Sequence, residues 1–147
     1  MAEYKLPRWI QQQCLWIVRG YDQNKAAWKL RRQEILEGGG VRQSSETGGI
    51  ASAGSERSTE QRAERLAALE RTTTFRQMVA VDHALTRVSA GLPRAMGKQL
   101  RTSLMINAQN GRAWPYERLP LDGFSRRDFY RIRNRFFYLI AEDLGMV

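Results

Sequence analysis

The segment SRRDFYRIRNRFFYLIAEDLG, near the end of the chain, holds the residues with the clearest capacity for chemistry. Five arginines stand between Arg126 and Arg135, interleaved with aromatic residues and almost without acidic partners at i,i+4 spacing. An arginine guanidinium can donate two parallel hydrogen bonds to a guanine edge or to a phosphate. Asparagine can pair with adenine, and a tyrosine hydroxyl can donate to phosphate. These residue types together indicate a surface that binds nucleic acid.

The spacing of the same residues predicts an amphipathic helix. Ser125 is typical of an N-cap, and Asp128 follows where the helix dipole favours a carboxylate. At about 100° per residue, one face is apolar: Phe129, Ile132, Phe136, Leu139, Ile140 and Leu144. The opposite face and its edges are basic, polar or aromatic: Arg126, Arg127, Tyr130, Arg131, Asn134, Arg135 and Tyr138. We therefore expect the apolar face to join a small core and the arginines to project away from it.

The elements before this helix predict a helix-turn-helix-like order. A helix over 93–110 is followed by NGRAWPYERLPLDGF, in which a short helix around Tyr116–Leu119 and a turn rich in helix breakers precede the capped basic helix. In a helix-turn-helix the second helix enters the major groove, and its first turns reach the bases. That position selects as base-reading residues Arg126, Arg127, Tyr130, Arg131 and Asn134. Phosphate contacts are expected from Arg112, Arg118, Arg133, Arg135 and Tyr138.

Composition favours the same kind of partner and excludes several classes of function. The 147 residues carry a net charge of +9 and a pI near 10.4, which suits a polyanion such as double-stranded DNA. Cys14 is the only cysteine and there is one histidine, so we expect no disulfide, no metal site and a cytoplasmic location. No catalytic triad, phosphate loop or paired-carboxylate spacing stands out, so we expect neither an enzyme nor a cofactor. No apolar run approaches the roughly 18 residues of a membrane span.

Four segments follow from composition and apolar periodicity, and they predict an all-α fold. Residues 1–37 predict an N-terminal helix, and 38–58 are Gly- and Ser-rich and predict a flexible linker. Residues 59–92 predict a second long helix, and 93–147 a C-terminal helix-turn-helix-like DNA-binding region. The first two helices are expected to form a hairpin on either side of the linker. Their three/four apolar spacing also admits a coiled coil, so a homodimer through the long helices stays open.

Local signals mark where the predicted helices begin, bend and end. Pro7 suits the first position of the N-terminal helix, and Gly20 marks a bend in it. The β-branched run Thr72–Thr74 predicts an interruption of the second long helix. Gly91 and Pro93 predict its end.

The chain also resembles a family of small phage-encoded proteins from Gram-positive hosts, the late-gene transcriptional regulators of the RinA/ArpU type. The similar stretches are LPRWIQQQCLWIVRGYDQNK, VDHALTRVSAGLPRAMGKQLRTSLMINAQNGRAWP and DFYRIRNRFFYLIAEDLGM. The resemblance implies a sigma-factor-region-4-like helix-turn-helix, control of phage late genes, and host RNA polymerase as a neighbour on the promoter. It places the base-reading role on the five residues already selected. Pro115 and Pro120 depart from it, because a sigma-like first helix would run unbroken there.

The same residues are also compatible with functions other than promoter recognition. A basic helix face is often merely solvated. A small-terminase-like packaging protein would also combine a helix-turn-helix with an oligomerising hairpin, and a ring of copies would distinguish it. Trp9, Trp16 and Trp28 could bind a protein partner, although their positions on a long helix favour core packing. A basic helix lying on an anionic membrane is the remaining alternative.

Overall fold

The computed structural model describes residues 4–38 and 51–147, excluding the side chains of residues 51–57 and of Arg112. Over these ranges the chain is all-α, as predicted, with six α-helices and no strand. The helices are α1 (Arg8–Arg19), α2 (Tyr21–Glu37), α3 (Ala51–Glu70), α4 (Thr73–Ser89), α5 (Arg94–Asn110) and α6 (Arg126–Asp143). Two short 3-10 turns, Gly111–Ala113 and Tyr116–Arg118, lie between α5 and α6.

Each of the two long predicted helices is divided in two. Gly20 separates α1 from α2, where the sequence predicted a bend. The second division lies at Thr72, whose hydroxyl donates to the carbonyl of Leu69 (2.7 Å) and accepts from the backbone N–H of Phe75 (3.3 Å). The Thr72 side chain thus pairs with a backbone carbonyl at the end of α3 and with a backbone N–H at the start of α4. These hydrogen bonds terminate one helix and begin the next, so α3 and α4 are separate elements.

The predicted linker over 38–58 overlaps a helix in the structure. Residues 51–58 belong to α3, and the remainder of that linker, 39–50, lies outside the described residues. The alanines and the glutamate of the sequence ASAGSERS have high helix propensity, which the Gly- and Ser-rich composition of the whole stretch concealed. The helix therefore begins before the predicted boundary at Ser58.

The described residues fall into two compact units. One unit contains the described residues up to Tyr21 together with Gln77–Val147, so it joins α1 to most of α4, α5 and α6. The other contains the described residues of Asp22–Arg76. The first unit thus combines the start of the chain with the predicted DNA-binding region, which the sequence treated as separate segments.

The core of the first unit lies where α1 contacts both α5 and α6. Its fully buried side chains include Cys14, Val18, Leu100, Leu104 and Phe136. The Cys14 thiol donates to the carbonyl of Phe137 (3.5 Å), and burial raises the pKa of Cys14 to about 11. Cys14 is therefore a protonated core residue.

The core-facing side of α6 is wider than the predicted stripe. Phe129, Phe136, Leu139 and Ile140 are buried, as predicted. Two further predicted core residues, Ile132 and Leu144, are only half-buried. Phe137 and Ala141, which the prediction left out, are buried as well. Since α1 covers α6 along Phe137, a second flank of the helix is removed from solvent.

The second unit buries little apolar surface among its described residues. Ile35 is buried, and the ring of Trp28 lies 5.8 Å from that of Phe75, centroid to centroid. Leu30 and Leu36 are exposed on α2.

Candidate nucleic-acid interface

The first turn of α6 is fixed by its N-cap. The Ser125 hydroxyl accepts a hydrogen bond from the backbone N–H of Asp128 (3.1 Å), as the sequence predicted. Asp128 is the acidic residue of the first turn, where the helix dipole favours it. Phe129 and Phe136 anchor the other side of the helix in the core. A capped and anchored helix holds its outer side chains in a defined direction.

The five predicted base-reading residues lie on one side of α6. We call Arg126, Arg127, Tyr130, Arg131 and Asn134 the reading face. The three arginines and Asn134 are exposed, and Tyr130 is half-buried. The Tyr130 ring meets the buried Phe129 ring edge-on, with centroids 5.4 Å apart, and Arg126 lies 5.8 Å from the Tyr130 centroid. Tyr130 therefore links the reading face to the core beneath it.

Two arginines of the reading face are paired with carboxylates. Arg126 lies 3.4 Å from Glu117, which belongs to the 3-10 turn before α6. Arg131 lies 3.0 Å from Asp128, one turn earlier on α6. Both pairs are exposed, and such pairs contribute about 0–1 kcal/mol, so a phosphate or base edge could replace the carboxylate. Within the described part of the chain, Arg127 forms no ion pair.

The predicted phosphate-contacting residues differ in their surroundings. Arg118 is exposed, donates to the carbonyl of Ala113 (2.7 Å) and lies 4.8 Å from the Trp114 ring centroid. Arg135 is half-buried on α6. The Arg112 side chain is outside the described residues. Arg118 and Arg135 are therefore close in sequence to the reading face but do not belong to it.

Arg133 and Tyr138, two of the predicted phosphate contacts, each pack against a neighbouring aromatic ring. The Arg133 guanidinium lies over the Phe137 ring, 4.7 Å from its centroid. Burial lowers the pKa of Arg133, and the neighbouring Tyr130 opposes this effect. Tyr138 is half-buried, with its ring edge-on to Tyr4 at 5.4 Å.

The connection that precedes α6 is long for a helix-turn-helix. Residues 111–125 separate α5 from α6, whereas the turn of that motif has about three or four residues. The predicted short helix is the single 3-10 turn Tyr116–Arg118. Tyr116 fixes this connection to α6, because its hydroxyl donates to the carbonyl of Phe124 and its ring lies 5.9 Å from that of Phe129.

The N-terminal segment contributes residues that the sequence did not connect with α6. Tyr4, Lys5 and Leu6 line a cavity of about 240 Å³ together with Asn134 and Phe137. A basic residue of the chain start, Lys5, therefore lies beside the last residue of the reading face. Residues 4–7 carry no periodic pattern, so no sequence signal could have placed them there.

The expectation that the tryptophans pack in the core is wrong for the two tryptophans of α1. Trp9 and Trp16 are 63% and 62% exposed. They lie seven residues apart, outside the face of α1 that holds the buried Ile10, Cys14 and Ile17. The buried face of α1 already fills the space against α5 and α6, which leaves both indole rings outside.

No family model, curated protein or solved structure matches this chain. Among the described residues, no group of three or more His, Cys, Asp or Glu side chains is placed to hold a metal ion. In the same part of the chain, every helix is too short or too polar to cross a bilayer. Function is therefore inferred from the chemistry of the reading face.

Proposed function

We propose that this protein binds double-stranded DNA through the reading face of α6 and regulates transcription of phage late genes. In this proposal α5, the connection and α6 act as a helix-turn-helix-like unit, with the first turns of α6 in the major groove. The observation that supports it most is the shared face of Arg126, Arg127, Tyr130, Arg131 and Asn134 on a capped, core-anchored helix.

Each residue type on that face has a partner on DNA. Arginine is suited to the O6 and N7 atoms of guanine, and asparagine to adenine. Arg127 is already free of carboxylates within the described residues, so it is the first candidate for a base contact. Arg126 and Arg131 would exchange Glu117 and Asp128 for DNA, a change that costs little at an exposed site.

Outside the reading face, the basic residues support attraction to the phosphate backbone. The chain carries a net charge of +9, and positive charge drives association with DNA whatever its sequence. Arg112, Arg118, Arg133, Arg135 and Tyr138 are the proposed phosphate contacts. The protein would act in the host cytoplasm, close to host RNA polymerase, and its long N-terminal helices would form a hairpin or join a second copy.

Binding to fragmented genomic DNA from the source tests this proposal. Fluorescence anisotropy with excess nonspecific competitor should retain tight binding to a few fragments, with log affinity falling linearly as log salt concentration rises. Retained fragments upstream of late genes support a regulator. Fragments from a packaging site, or a ring of copies, would instead support the terminase-like alternative. Loss of all binding on addition of competitor would contradict specific recognition.

A further inference from the structure

Two tryptophans are exposed on α1, outside its buried face. Trp9 and Trp16 are 63% and 62% exposed, although tryptophan side chains are highly buried on average. Seven residues separate them, so they lie on one face of the helix, about 10.5 Å apart along its axis. Two large rings exposed on one helix face are typical of a surface that binds another molecule.

One edge of this face is positively charged. At about 100° per residue, Arg8 and Arg19 both lie on the same side of the tryptophans, about 80–100° from Trp9 around the helix axis. Both arginines are exposed and form no ion pair within the described part of the chain, and α1 contains no acidic residue. The charge of this edge therefore favours an anionic partner.

Arg19 is held beside one of the two rings. Its guanidinium lies 5.5 Å from the centroid of the Trp16 ring, and its Nε donates to the carbonyl oxygen of Ala108 on α5 (3.4 Å). The second contact fixes the arginine to the unit that contains α1 and α5. A guanidinium and an indole ring side by side offer adjacent positions to a phosphate and a base.

The residues between the tryptophans distinguish among possible partners. A partner helix or a membrane needs an apolar stripe that continues through the intervening turn, but the residues there are Gln12 and Gln13, both exposed and polar. A second copy of α1 would place arginine beside arginine in either direction of packing. Nucleic acid bases, in contrast, stack on separate rings and need no apolar residue between them.

We propose that this face of α1 binds single-stranded nucleic acid. Unpaired bases would stack on Trp9 and Trp16, while Arg8 and Arg19 would bind the phosphates. The distance of about 10.5 Å between the tryptophan positions is about three times the 3.4 Å rise of one nucleotide. About two bases would therefore lie between the stacked ones, beside glutamine amides that can pair with base edges. This site does not rest on the proposed function, which concerns double-stranded DNA and α6.

Oligonucleotides with and without bases test the proposal on the unaltered chain. An oligothymidylate of about 12 nucleotides should bind in fluorescence anisotropy and quench the tryptophan fluorescence, because its bases stack on indole rings. An abasic strand of the same length keeps every phosphate and should bind at least about tenfold more weakly. Oligouridylate should bind as well, since every base has a π-face, and tighter binding of either strand identifies the preferred sugar.

Equal affinities for the oligothymidylate and the abasic strand would overturn the proposal, because charge alone would then explain the binding. Displacement of the oligothymidylate by an oligoglutamate of equal charge would also overturn it and would assign this face to an acidic protein segment. Both outcomes are measured without any substitution in the chain.

Variants locate the stacking. Trp9→Leu and Trp16→Leu keep an apolar side chain but remove a ring, so each should weaken oligothymidylate binding at least about fivefold. Phenylalanine at either position should preserve most of the affinity. Leu30→Ala, which removes a comparably exposed side chain from α2, should leave it unchanged. If affinity is lost in Arg127→Ala with Arg131→Ala and kept in the tryptophan variants, the strand binds the reading face and the proposal fails.

Discussion

At the scale of single residues, the arginines of α6 are not equivalent. Arg126 and Arg131 each meet a carboxylate, whereas Arg127 forms no ion pair among the described residues. Arg133 packs against Phe137 with its Nε buried. Four of the five arginines between Arg126 and Arg135 thus fall into three environments. The difference comes from their angular positions on the helix and from Glu117, a residue outside it.

Asp128→Asn tests whether the carboxylate competes with DNA for Arg131. We expect DNA affinity to rise by up to about fivefold, since the change removes an exposed ion pair of about 0.2–1 kcal/mol and a negative charge beside the phosphates. Anisotropy titrations would measure it. Asp122→Asn, which removes an exposed carboxylate in the connection, is the control. Weaker binding by Asp128→Asn would show that the pair positions Arg131 for DNA instead of competing with it.

Cys14 predicts a pH dependence of stability. Burial raises the pKa of its thiol from the ordinary 9.0 to about 11 in the folded chain. As the pH rises, the Cys14 thiol ionises in the unfolded chain before it ionises in the folded chain. The stabilisation from the protonated Cys14 is therefore fully present below pH 9.0 and is lost as the pH rises towards 11. In urea unfolding across this interval, the stability of the parent relative to Cys14→Ala should decrease. A constant difference would show that Cys14 is not shielded from solvent as described.

At the scale of elements, α6 is held by its cap and by two-sided packing. Local signals predicted the cap at Ser125, the bend at Gly20 and the interruption near Thr72, because each depends on a few neighbouring residues. Burial of Phe137 was not predicted, since it depends on α1, a helix more than a hundred residues earlier in the chain. Contacts of that range leave no periodic trace in either segment.

Phe136→Ala should destabilise the first unit by about 3–5 kcal/mol, because it removes a fully buried ring and leaves a cavity. Ile132→Ala, at a half-buried position one turn earlier, should cost less. Denaturant unfolding followed by circular dichroism compares the two. Equal costs would contradict the half-buried position of Ile132 and would place it in the core beside Phe136.

Ser125→Ala should destabilise α6 by about 0.5–2 kcal/mol, since the backbone N–H of Asp128 loses its side-chain acceptor. Thermal unfolding of the variant gives the cost. Ser125→Asp, which keeps an N-cap acceptor, should restore most of the stability. Failure of that restoration would indicate that the hydroxyl has a role other than capping.

At the scale of the whole molecule, the reading face and the two exposed tryptophans belong to different helices. The reading face is on α6, while Trp9 and Trp16 are exposed on α1. Composition alone predicted a polyanionic partner, and helical periodicity predicted which α6 residues face away from the core. Neither could predict exposed tryptophans, because the apolar character of a residue does not say whether a neighbouring helix has room for it.

Recognition of DNA by the reading face is best tested by comparing the affinities of two double variants. Arg127→Ala with Arg131→Ala removes two charges at i,i+4 spacing from that face. Arg94→Ala with Lys98→Ala removes the same charge at the same spacing from exposed positions on α5. Against a selected genomic fragment with competitor, the first variant should lose selective binding while keeping its helicity, and the second should retain selectivity. Equal losses in both variants would contradict recognition by this face, because only net charge would then matter.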